Sequence, residues 1–197
     1  MSESKTSGGG ITCVDYTQAG AGARKGDMSA EEAVQCVGDI SNWFSAKAAD
    51  VTLAGGAGEA DMKRLVGAAP CEVPMAMKKL LQVHDGGFPV CGESTLMSAA
   101  EIVEALASTA GGEALTKAAK IPFAKDFDED YLVAGDGGVF ECTNDGCVGD
   151  NLASSFEAFL EQFRNDLLSN KFEYIDGCGL VETADGGGGG GGSSAKK

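Results

Sequence analysis

The 197-residue chain has one histidine, one tryptophan, four prolines, and 15 lysines and arginines against 30 aspartates and glutamates. Each scarcity excludes something. A nucleic-acid surface needs cations that displace phosphate counterions, and a formal charge of −15 offers the opposite. An anionic membrane surface is disfavoured for the same reason. No stretch approaches the roughly 20 consecutive apolar residues of a spanning helix, so no direct membrane insertion is expected. With His84 as the only imidazole, any Ser-His-Asp, Cys-His or His-bearing zinc site must pass through that residue. No nucleophile elbow of the G-x-S-x-G kind is present.

What is abundant is glycine, at 30 residues, and acid. Hydrophobic residues make up 43% of the chain, enough for one domain with a proper core. Gly8-Gly9-Gly10 and Gly20-Ala21-Gly22 mark residues 1–27 as an expected flexible arm, within which Ile11, Val14 and Tyr16 suit a short strand or docking segment. A seven-glycine run followed by Ser-Ser-Ala-Lys-Lys marks residues 177–197 as an expected flexible tail. The start, Met1-Ser2-Glu3-Ser4-Lys5, has no apolar signal region, and the seven cysteines are odd in number. The expectation is free thiols in a reducing, cytoplasmic compartment, or in an organelle if a transit peptide has been removed.

Ser29 and Glu32 form a capping-box pair, in which each side chain satisfies an orphan amide. Val34, Val37, Ile40, Phe44 and Ala48 then recur at spacings of three and four, predicting an amphipathic helix within residues 28–54 that packs on or leads into the domain. Trp43 and Phe44 read as core, with a partner-binding helix face as the rival reading. After the break at Gly55-Gly56-Ala57-Gly58, a helix is predicted over Glu59–Val66, with Met62, Leu65 and Val66 inward. Pro74 suits the first turn of another helix, which ends near His84-Asp85-Gly86-Gly87. Short strands are predicted at 88–90, 94–97, 121–124, 131–134 and 139–142, the last two joined by Gly135-Asp136-Gly137-Gly138 as a hairpin. A capped helix after Ser98 and a long one from about Leu152 to Asn170 complete the pattern, with Phe156, Phe159, Leu160, Phe163, Leu167 and Leu168 as the apolar stripe of the second.

Chemistry-bearing patterns are sparse. Cys142 and Cys147 flank Thr-Asn-Asp-Gly; that is half of a metal site or a small disulfide, without a second paired half. Asp126, Asp128 and Asp130 alternate like the start of a calcium loop. The glycine and glutamate such a loop requires are replaced by Tyr131 and Gly137, so no metal is assigned. The remaining readings of Asp126, Asp128 and Glu129 are a solvated loop and an acidic contact surface for a basic partner. No cofactor and no catalytic residue is assigned.

The order of elements carries a family resemblance. Val73-Pro74-Met75-Ala76-Met77-Lys78-Lys79-Leu80-Leu81 leads to His84-Asp85-Gly86-Gly87, then to Ile121-Pro122-Phe123-Ala124, Asp130-Tyr131-Leu132-Val133, and Val139-Phe140-Glu141. Leu152-Ala153-Ser154-Ser155-Phe156-Glu157-Ala158-Phe159-Leu160 closes the series. Residues 59–170 thereby resemble the SUKH superfamily of fungal cell-wall-synthesis regulators and bacterial toxin-immunity proteins. Its leucine-proline helix, Asn-Gly-Gly-like turn, Pro-Phe-Ala strand, Gly-Asp-Tyr-Leu strand and Ser-Phe-Glu-x-Phe-Leu helix follow this order. Asp85 replaces the usual asparagine, Glu129 the usual glycine, and Ala134-Gly135 intervene before Asp136.

The resemblance implies an α+β domain over residues 55–176, with a mixed or mainly antiparallel sheet and surrounding helices. It implies protein binding without catalysis. The matching positions Pro74, Asp85, Gly86, Gly87, Pro122, Phe123, Asp130, Tyr131, Ser155, Phe156 and Phe159 are mainly structural under this reading. The expected role is a non-enzymatic scaffold, adaptor or regulatory subunit whose partners are other proteins, met through their basic patches. The alternatives are an immunity-type inhibitor masking a basic toxin or nuclease, and an enzyme with an unrecognised carboxylate or thiol site.

Overall fold

A computed structural model describes residues 28–108, 111–146 and 148–183. The glycine-rich arm, the tail beyond residue 183 and Cys147 lie outside these described residues. Within them the chain is α+β. Six helices, α1 (Ala30–Lys47), α2 (Glu59–Ala68), α3 (Met75–Val83), α4 (Ala99–Ala107), α5 (Gly112–Lys117) and α6 (Phe156–Leu168), surround an antiparallel sheet. Its strands are β1 (Pro89–Cys91), β2 (Ser94–Leu96), β3 (Lys120–Lys125), β4 (Tyr131–Gly135), β5 (Gly138–Cys142) and β6 (Val148–Ala153), lying in chain order. A separate hairpin, β7 (Phe172–Ile175) with β8 (Gly179–Glu182), follows α6.

The helix starts follow their local chemistry. Ser29 and Ser98 both close full capping boxes, with Glu32 and Glu101 returning to the cap amides. Ser155 Oγ accepts the Ala158 amide and so fixes the start of α6. That cap explains why α6 begins at Phe156 rather than near Leu152: residues 148–153 belong to β6, which was not foreseen. Pro74 stands at the N-cap of α3, where its missing amide costs nothing.

The core is one cluster running from α1 through the sheet to α6. Phe123 on β3 meets Phe156 edge-on, with ring centroids 5.0 Å apart, and Phe159 at 5.4 Å. Phe44 on α1 lies 5.3 Å from Phe88. Helix α1 packs against α3 and α6, and the Cys36 thiol reaches the Leu160 carbonyl at 3.5 Å. Burial pushes that thiol up to about 12.

Some residues expected inside are outside. Val34, Val66 and Leu168 are exposed; on α1 the buried positions are Ala33 and Cys36 together with Val37, Ile40, Trp43 and Phe44. Ordered structure also runs past residue 177, where the tail was expected to begin. β7 and β8 hold each other by pairing, and Phe172 and Leu180 are buried.

Candidate functional site

The turn between β3 and β4, residues 126–130, is built by its own carboxylates. Asp126 Oδ1 accepts the amides of Asp128 at 2.9 Å and Asp130 at 3.0 Å, and the Asp126 amide donates to the Asp130 carbonyl. Asp130 Oδ1 in turn accepts the Asn144 amide at 2.9 Å, tying this turn to the one between β5 and β6. Glu129 has φ +63°, the left-handed backbone that favours glycine. Of the three residues expected to form an acidic contact surface, Asp126 is therefore committed to backbone, while Asp128 and Glu129 are exposed. Between them the turn holds out Phe127, 83% exposed, with its ring in solvent.

At the other end of β4 lies a groove of about 520 Å³. Its walls are the Cys71–Met75 approach to α3, the Gly135–Gly138 hairpin and the Ser154–Glu157 start of α6, with Met28 beside them. The hairpin sits close against β6: a Cβ on Gly138, at φ +130°, would collide with the Ala153 carbonyl. Asn151 Nδ2 donates to the Gly137 carbonyl at 3.0 Å. Behind the hairpin, buried Lys120 donates to the Asp136 carbonyl at 2.6 Å and stands 3.8 Å over the Phe140 ring. Its burial lowers its pKa. Glu157 Oε1 accepts the Ala76 amide at 3.4 Å, so α6 contributes to capping α3, which has no side-chain cap of its own.

The motif residues divide between this groove and the frame. Pro74, Ser155 and Phe156 line the groove. Pro122 and Phe123 are buried in β3, beside a bulge between Pro122 and Ala124. Tyr131 is half-buried against the core, and burial pushes its hydroxyl up. Asp85 Oδ1 accepts the Ala99 amide at 2.7 Å, adding to the N-terminal capping of α4. Gly86, at φ +85°, passes so close to Ser98 that a Cβ would lie 2.7 Å from its amide nitrogen; Gly87 shares that φ.

His84 sits at the C-cap of α3, as a helix-end polar group would. Nδ1 donates to the Ala54 carbonyl at 2.9 Å, and Nε2 lies 2.6 Å from Ser41 Oγ. This joins α1, the 48–58 connection and α3. The Ser-His distance suits a nucleophile and base, but the imidazole is buried and lines neither this groove nor the smaller one between α1 and α6. Cys71, on the groove, has its thiol pushed up by burial and then by Asp136, so it keeps its proton at neutral pH and is a weak nucleophile. Among the described residues, no three His, Cys, Asp or Glu side chains are placed to hold a metal, and no helix is long and apolar enough to cross a membrane.

In comparisons with known proteins, no family model and no curated protein matched the chain. The site is therefore read from its geometry. Sequence reasoning placed the acidic turn but passed over Phe127, whose neighbours Asp126 and Asp128 are the signal that the ring faces water. It did not foresee the groove, whose walls are distant in sequence.

Proposed function

We infer that the chain is a non-enzymatic protein-binding module, a scaffold, adaptor or regulatory subunit, whose contact point is the turn presenting Phe127. The observation that carries this reading is an aromatic ring 83% exposed on a turn whose backbone is fixed by Asp126. A ring carried on backbone that is already fixed adds little backbone ordering on contact, and aromatic anchors are enriched at interfaces. Asp128 and Glu129 beside it match a partner pocket that is apolar inside and lined with lysine or arginine at its mouth.

Three further features support the reading. The only histidine holds elements together, and the groove thiol is poorly nucleophilic. The positions matching glycine-bearing turns of the SUKH pattern, Gly86, Gly87 and Glu129, all have left-handed backbone. Unpaired thiols at Cys36, Cys71 and Cys178 fit a reducing, cytoplasmic setting.

The test is affinity capture at physiological salt with the wild-type chain, Phe127→Ser, and Asp128→Lys with Glu129→Lys. A protein retained by the wild type and lost by both variants is the expected result. Retention of every captured protein by Phe127→Ser would overturn the reading. The nature of the retained protein, enzyme-complex component or basic toxin, decides between adaptor and inhibitor.

A further inference from the structure

The groove beyond the other end of β4 has a chemistry distinct from the Phe127 turn. Half-buried Pro74 and Met75, backed by buried Val73 and Phe156, give it apolar walls, and Glu72 and Asp136 stand exposed along it. Neither of these two carboxylates forms an ion pair with a described residue. No lysine or arginine is among its described lining residues, and the nearby Lys120 ammonium is occupied by the Asp136 carbonyl and the Phe140 ring. Its volume of about 520 Å³ lies within the range of ~300–1,000 Å³ usual for ligand pockets.

We propose that this groove binds a short extended segment of a partner protein in which an aliphatic side chain neighbours lysine or arginine. The aliphatic group meets the Pro74 and Met75 surface, where apolar area leaves water. The cation lies against the exposed Glu72 and Asp136 carboxylates, the second of which also feels the Lys120 charge behind the hairpin. An acidic segment is repelled by the same two groups, and a purely polar basic segment leaves the apolar walls wet. This goes beyond the role of the Phe127 turn and stands without it, because the two surfaces lie at opposite ends of β4.

The probe is a fluorescein-labelled hexapeptide alternating leucine with arginine, titrated against the full chain and followed by anisotropy. Saturable binding is expected, weakened about fivefold by Glu72→Gln with Asp136→Asn. Glu104→Gln with Glu113→Gln removes the same charge from exposed sites on α4 and α5, and leaves binding within about twofold. With the wild-type chain alone, replacing the peptide's leucines by serine weakens binding about tenfold. Equal weakening by the two double variants would reduce the attraction to net charge and overturn the proposal. So would serine peptides binding as well as leucine ones, or the absence of saturable binding. Phe127→Ser leaves the titration unchanged, so this proposal and the Phe127 reading fail separately.

Discussion

Two turns close the opposite ends of β4, and they are made in opposite ways. At residues 126–130 the chain turns on aspartates, whose oxygens accept backbone amides, and it carries Glu129 through a left-handed conformation. At Asp136–Gly137 it turns on glycines, packed so close to β6 that Gly138 has no room for a side chain. Both ends are acidic, but the first uses Asp126 and Asp130 as structure, whereas the second leaves Glu72 and Asp136 to solvent. A net charge of −15 is therefore not one property of this protein; what matters is which carboxylates already have a partner.

Substitutions at the two ends should separate accordingly. Gly138→Ala is expected to cost the most, about 3 kcal/mol or more in urea unfolding, because the new Cβ meets a fixed carbonyl and the backbone is in a glycine region. A loss below about 1 kcal/mol would mean that this end yields easily and the contrast is wrong. Asp126→Ala should cost about 1–2 kcal/mol, since two turn amides lose their acceptor. Asp136→Ala, whose side chain bonds to nothing described, should stay within about 0.5 kcal/mol.

Glu129→Gly should stabilise by roughly 0.5–1 kcal/mol, as relief of left-handed strain outweighs the added freedom of the unfolded chain. Destabilisation there would show that the Glu129 side chain holds the turn. An effect on folding as small as that of Asp136→Ala is expected from Phe127→Ser, within about 0.5 kcal/mol by thermal or urea unfolding. A large loss would mean that the ring packs somewhere in solution.

Much of the frame could be read in advance because its signals are local. Ser29 with Glu32 and Ser98 with Glu101 specify helix starts within four residues, and both boxes are present. The antiparallel hairpin through residues 131–142 follows from two apolar runs around a glycine-rich turn. β6 was missed because Gly149 and Asp150 are poor strand formers and pairing with β5 holds them. β7 carried a visible signal, Phe172 and Tyr174 alternating with Glu173, which the nearby glycine run obscured. Val34 and Val66 fit an apolar spacing and still face water, because a helix buries only the stripe its neighbours cover. The groove was beyond reach for a different reason: residues 28, 71–75, 135–138 and 154–157 meet only after the sheet has formed.

The strand order also bears on how the protein is made. After β1, each strand of the main sheet pairs with the one synthesised just before it, so the sheet can assemble largely in step with elongation. Helix α1 cannot do the same. Its Cys36 finds the Leu160 carbonyl 124 residues later, and its apolar stripe has no complete cover until α6 has left the ribosome. The first helix of the domain can settle early on α3, with Phe44 against Phe88, but its Cys36 side stays uncovered until α6 is made.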